Sequence, residues 1–271
     1  MAWSGRSGLG FPLRSNEMME KTKTFESPRL LQNTFAVFFK RRPAIRREAN
    51  LFEALFEGKY GPPQVLGVPD ELDPEIPRII FSSRHGFSQI VITEVSLSLL
   101  VNYSREWQLD RQHARDYLGE RVPALFQAAQ AVSAGGPSFS GLVSGVRIPL
   151  AGDEDVAAVF SRFFLGIPAE RGVFDLELKR VRVVDRTYFS NTVLGTYRVW
   201  KAGPSASEIG RFPVSGVSER GIQISSDVND RHAFNEREGY GSTARSTLEV
   251  LQCGLSELEA QIDSVLKRDG Q

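Results

Sequence analysis

Between Ile79 and Tyr103, apolar side chains alternate with small polar ones. Ile90 and Ile92, then Leu97, Leu99, Val101 and Tyr103, form rows interleaved with Gln89, Ser96, Ser98 and Asn102. A period of two sends each row to one face of a sheet, one face buried and the other at least partly wet. Arg84-His85-Gly86 interrupts the run after Ile79-Ile80-Phe81 and supplies a residue that accepts positive φ, so a hairpin is expected there.

The same reading extends along the chain. Thr34 to Phe39 predicts a first strand, closed by Lys40-Arg41-Arg42 and Pro43. Ala44 to Glu57 carries Ile45, Ala49, Phe52, Leu55 and Phe56 at helical intervals, and Gly58 with Gly61-Pro62-Pro63 stops that helix. A second helix is expected from about Asp110, with Ala114, Tyr117, Leu118, Val122 and Leu125 on one face. Pro123 lies inside that pattern and predicts a kink or break near Gly119 to Arg121. Ala134-Gly135-Gly136-Pro137 then marks a boundary.

Beyond it, Phe139 to Leu150 reads as a strand in which Gly141 and Gly145 signal bulges or close backbone approach. A short helix follows Asp153-Glu154-Asp155, whose carboxylates suit the positive end of a helix dipole. Val173–Val184 and Tyr188–Trp200 are expected strands around an Asp185-Arg186 turn, and their basic residues are expected on one solvated face. Gly221 to Val228 is a last strand, and Asn229 to Gly241 a polar connection. In the closing helix, from about Ser242 to Lys267, Leu248, Leu251, Leu255, Leu258, Ile262 and Val265 recur at intervals of 3, 4, 3, 4 and 3. That spacing suits packing across the protein's own sheet, with a homodimer through the C-terminal helix as its alternative use.

The expected fold class is therefore α+β. It comprises two pseudo-repeated halves, each an antiparallel sheet packed with helices in the order strand, helix, three strands, helix. Residues 25–134 form the first half and 138–271 the second, after an N-terminal extension, 1–24, read as disordered. The halves could hold separate sheets or share one continuous curved sheet.

Composition narrows the function classes. The chain has 271 residues, 41% hydrophobic and 24% charged, with 33 basic and 33 acidic side chains in balance, so no global field recruits nucleic acid or an anionic membrane. The single cysteine, Cys253, excludes an internal disulfide and reads as a buried small hydrophobe. No run approaches the ~20 apolar residues of a membrane span, and no signal-peptide pattern is present, which points to the cytoplasm.

Catalytic chemistry does not stand out. Phosphate-binding glycine motifs are absent, and Gly216-Val217-Ser218-Glu219-Arg220-Gly221 misses a nucleophile elbow by one residue. His113 and Asp116 are one helical turn apart with no third ligand in view. Asp227, Asp230 and His232 form the densest polar cluster, which an Asx-rich strand exit explains without an ion. No catalytic residue, cofactor or metal is expected. The acidic, proline-containing connector VPDELDPEIP, with Asp70, Glu71, Asp73 and Glu75, is the best candidate for a contact surface with a partner.

Three stretches, FAVFFKRRP (35–43), LSLLVNYSREW (97–107) and IQISSDVND (222–230), resemble a divergent, uncharacterised bacterial family of about this length. The resemblance spans about residues 34–267. It implies a protein of bacterial conflict loci, similar to immunity partners of secreted toxins, and carries over no functional residue. The expectation is a non-enzymatic protein that binds and occludes a cognate toxin. The alternative is a nucleic-acid-binding defence component, supported by Lys40-Arg41-Arg42, Arg46-Arg47 and the basic hairpin around 179–186.

Overall fold

In the computed structural model, which describes residues 23–201 and 216–268, nine strands join in one antiparallel sheet. The strands are β1 (Arg29–Phe38), β2 (Gln64–Val65), β3 (Ile79–Ser82), β4 (Ser88–Ile92), β5 (Ser96–Asn102), β6 (Phe139–Pro149), β7 (Glu177–Val184), β8 (Tyr188–Trp200) and β9 (Val217–Asn229). Their order across the sheet is β2-β3-β4-β5-β1-β6-β9-β8-β7. The helices are α1 (Ala49–Phe56), α2 (Arg111–Val132), α3 (Val156–Phe160), α4 (Arg231–Glu236) and α5 (Ala244–Arg268).

The alternation seen in the sequence decides which face is covered. Phe35 and Val37 of β1 lie opposite Leu99 and Leu97 of β5. Across the other edge of β1, Phe35 lies opposite Leu142 of β6, which in turn faces Val228 of β9. These side chains are fully or almost fully buried under α2 and α5, which pack on each other and on this face. In α5, Leu251, Leu255, Leu258, Ile262 and Val265 are all buried, while Leu248 remains exposed. The leucine seam thus faces the protein's own sheet and α2.

Several boundaries differ from the pattern reading. β1 begins at Arg29, before Thr34, and its register shifts between Leu30 and Gln32. Gly145 sits opposite Gln32, where a Cβ would lie 3.4 Å from the Gln32 Cγ, so this glycine answers a bulge in its neighbour. β7 starts at Glu177 rather than Val173, and β9 extends back to Val217. The polar connection after Asn229 contains α4.

Of the kink or break expected near Gly119 to Arg121, the break does not occur: α2 runs unbroken for 22 residues with Pro123 inside it. Pro123 and Gly119 both lie on the exposed side of the helix. The carbonyl that the proline leaves without a donor is that of Gly119, which water can reach, and the glycine adds no side chain to the crowding.

Cys253 is half-buried rather than enclosed, and burial pushes its thiol pKa up. The disordered reading of 1–24 falls almost wholly on residues outside those described. None of the described helices is long and apolar enough to cross a membrane.

One glycine has no substitute. A Cβ on Gly221 would stand 2.2 Å from the Ile148 carbonyl oxygen, 2.8 Å from the Pro149 Cα and 2.9 Å from the Tyr197 ring. Two of these neighbours are backbone in an adjacent strand, so they cannot swing away. Gly221→Ala is expected to cost about 2–3 kcal/mol, read as a lowered urea midpoint with an unchanged slope.

Candidate functional site

The face of the sheet opposite α2 and α5 carries the other half of the alternation: Thr34, Ala36, Phe38, Ser98, Gly141, Val143, Asp227 and Asn229. These residues are mostly small or polar, and most are only partly buried. Where β5, β1, β6 and β9 end together, they floor a groove of about 610 Å³. Small floor residues make the hollow, since Gly141 and Ala36 offer almost nothing above the backbone.

The walls come from two connections. On the β5 side stand Pro74 and Glu75, at the end of the acidic connector. On the β9 side stand Arg231 and Phe234 of α4. Phe38 stacks on Phe139 at 4.4 Å, Phe234 leans on Phe139 at 5.6 Å, and the Arg231 guanidinium lies 5.5 Å from the Phe139 ring. The lining is therefore an aromatic cluster beside small polar residues, with a carboxylate on one rim and a cation on the other. Such a mixture suits recognition: apolar area supplies binding free energy and a few polar groups fix orientation.

Both walls are held from below. Arg78 is completely buried at the root of the connector. Its Nη1 donates to the Ile76 carbonyl at 2.8 Å, and its Nη2 reaches the Pro69 and Asp73 carbonyls, each at 3.3 Å. Nη2 also lies 3.4 Å from Oε1 of the equally buried Glu94, whose second oxygen accepts from Arg41 Nε at 2.8 Å. The Glu94 amide donates to the Pro74 carbonyl at 3.0 Å. A buried ion pair thus gathers the connector's carbonyls onto the turn between β4 and β5.

Asp230, fully buried, performs the matching task on the other side. Its carboxylate accepts from the Ser140 amide at 2.6 Å, the Tyr240 hydroxyl at 2.7 Å and the Ser242 hydroxyl at 2.6 Å. This joins the end of β9 to the start of β6 and to the approach of α5. Burial raises the carboxyl above its ordinary 3.8, with the Ser242, Ser140 and Tyr240 hydrogen bonds pulling the other way.

The four acidic residues of the connector have different placements. Asp70 bonds Arg46 at 2.7 Å, so its charge is already matched within the protein. The Asp73 carboxylate accepts from the Glu75 amide at 2.9 Å and shapes the turn. Glu71 is exposed, and Glu75 is exposed on the groove rim.

The polar cluster at the end of β9 does not converge on a point. Asp227 accepts from Asn191 at 3.0 Å and Asn229 at 2.9 Å on the open face, Asp230 is enclosed beneath, and His232 stacks on Phe189 at 5.1 Å. His113 stacks on Trp107 at 3.9 Å while Asp116 accepts from Gln112. Among the described residues no group of three His, Cys, Asp or Glu side chains could hold a metal ion.

The acids before α3 have partners too: Asp155 accepts from the Ala157 amide at 3.3 Å, and Glu154 pairs with Arg162 at 3.0 Å. Nor do the basic residues of the β7–β8 hairpin share one face. Alternation puts Lys179 on the open face and Arg180 and Arg182 on the other, where Arg182 pairs with Glu257.

No protein-family model matches the chain, and no curated protein matches it.

Proposed function

We propose that the protein is a non-enzymatic binding protein, an immunity protein that occludes a secreted bacterial toxin by docking it on the open face of the sheet. The observation that carries this reading is the groove itself, a hollow in the middle of the sheet that no described residue covers, while two long helices seal the other face. The three stretches that carry the family resemblance meet there: Phe38 and Phe39 from the first, Ser98 from the second, Asp227 and Asn229 from the third. They meet because β5, β1, β6 and β9 are neighbours.

The strand order also supports a doubled design. β1, which opens the first half, lies beside β5, which closes its strands, and β6 lies beside β9 in the same relation. The halves join through β1 and β6, so the groove straddles their junction.

Charge favours a protein partner over a polyanion. Of the first basic run, Arg41, Arg42 and Arg46 are each within ion-pair distance of an acid, Glu94, Glu48 and Asp70 respectively, while exposed Lys40 and Arg47 have no ion pair among the described residues. Exposed Glu75 adds negative charge to the groove rim, and exposed Glu71 adds to the charge of the same connector, which would repel phosphates and attract the basic surface of a nuclease-type toxin. An interface of about 1,600 Å² centred on the aromatic cluster would be of ordinary size for a stable complex.

The test is affinity capture from the encoding organism with the wild-type chain and Val143→Arg, which places a long cation on the groove floor without disturbing the buried face. The wild type should retain one protein at about one-to-one stoichiometry and suppress its toxicity on co-expression, while the variant loses both by at least tenfold. Absence of any stoichiometric protein, or full retention by Val143→Arg, would overturn the proposal.

A further inference from the structure

The sheet runs one strand past its helical cover. In β7, Glu177 to Val183 are all exposed on both faces, and Leu178, Val181 and Val183 keep 38%, 55% and 46% of their surface in solvent. β7 pairs with β8 along its whole length with no bulge, and among the described residues its outer edge ends the sheet. An exposed strand of eight residues, without proline or bulge, presents a row of backbone donors and acceptors to any extended chain.

Charge selects which chain. Lys179 and Arg180 make no ion pair among the described residues, and Arg182, paired with Glu257, is still 41% exposed at its side chain. A second copy is disfavoured by symmetry. Antiparallel pairing about a two-fold axis opposes residues of the same face. An axis at Lys179, Arg180 or Arg182 sets that cation against its own copy, and an axis at Val181 sets Arg180 against Arg182. Every central register therefore opposes like charges, which is unfavourable directly across a strand pair. An acidic strand turns the same positions into attraction.

We propose that the outer edge of β7 accepts an extended acidic segment of a partner protein as an added antiparallel strand. Neighbouring Lys179 and Arg180 point to opposite faces, so the segment carries two consecutive carboxylates opposite them. Branched apolar residues on the segment meet Val181 and Val183. The backbone edge supplies the pairing, and the two cations supply the register. This surface is separate from the groove, and the inference stands whether or not a toxin docks there.

The test is fluorescence anisotropy of the full chain with a labelled peptide, acetyl-TVEIEELT-amide. Two control peptides are used, one with lysine at each glutamate and one N-methylated at alternate residues along its pairing edge. The expected result is saturable binding of the acidic peptide with hydrogen-exchange protection confined to β7, weakened at least tenfold in both controls. The double variant Lys179→Glu, Arg180→Glu should lose the acidic peptide and gain the lysine peptide, which no loss of folding would produce. No binding of the acidic peptide, or equal binding of the N-methylated one, overturns the proposal.

Discussion

Arg78→Ala should lower stability by about 4 kcal/mol and the melting temperature by roughly 10 °C. The guanidinium is fully enclosed, and so is Glu94 beside it. Removing the cation leaves one Glu94 oxygen without its neighbouring charge, because Arg41 serves only the other. It also strips a donor from the carbonyls of Pro69, Asp73 and Ile76, which then face a cavity. Each orphaned buried acceptor costs about 1–3 kcal/mol.

A second effect separates this variant from an ordinary core deletion. The connector loses its anchor, so the wall formed by Pro74 and Glu75 should loosen, visible as faster hydrogen exchange across residues 69–76. The double variant Arg78→Met, Glu94→Met should be less destabilised than either single change, since it removes both charges together. A double variant that sums the two singles would show that the pair is not the source of the cost.

Asp230→Ala is expected to cost about 3 kcal/mol at neutral pH, through the buried Ser140 amide and the Ser242 hydroxyl left without an acceptor. Its pH dependence is the sharper readout. The carboxyl in the folded protein holds its proton above the ordinary 3.8 of the unfolded chain. Between those two values the folded state binds more protons than the unfolded one, so this residue's contribution falls as pH rises above about 4 and is level once the folded carboxyl has ionised. Asp230→Asn keeps much of the shape and cannot ionise, so its stability should lack that fall. Urea unfolding of wild type and variant from pH 3 to 8 checks the sign, and a wild type that gains stability through Asp230 over this range would refute it.

How far the sequence disclosed this arrangement follows from the range of each interaction. Tyr188–Trp200 matches its predicted strand end to end, and the hairpin at Arg84-His85-Gly86 forms with Gly86 at φ 70. Both depend on alternation and a local turn, which neighbouring residues dictate. Asp185 and Arg186, each at φ 51, build the β7–β8 turn although neither is glycine. The pattern located that turn but not its backbone.

The union of β1 with β6 was not legible in the same way. It pairs Phe35 with Leu142 across the whole first half, and a period of two is equally content with separate sheets. The groove inherits that difficulty. Thr34, Ala36 and Val143 read singly as the polar or small side of a strand, and only pairing makes them one floor. Gly141 was the one available signal: its Cβ position is 3.0 Å from the Asn229 Cβ, the close approach that a glycine in a strand implies. Arg78 gave no signal at all. A lone arginine before an apolar run looks like surface, and its burial follows from the connector folding back over it.

Docking of the partner on the open face of the sheet is tested most directly by side-chain footprinting of the captured complex. Carbene labelling of Phe139, Val143 and Phe234 should fall at least fivefold on binding, while exposed Leu109 outside the groove is labelled as before. If those three groove residues are labelled equally with and without the partner, the open face is not where the protein binds, and the account fails.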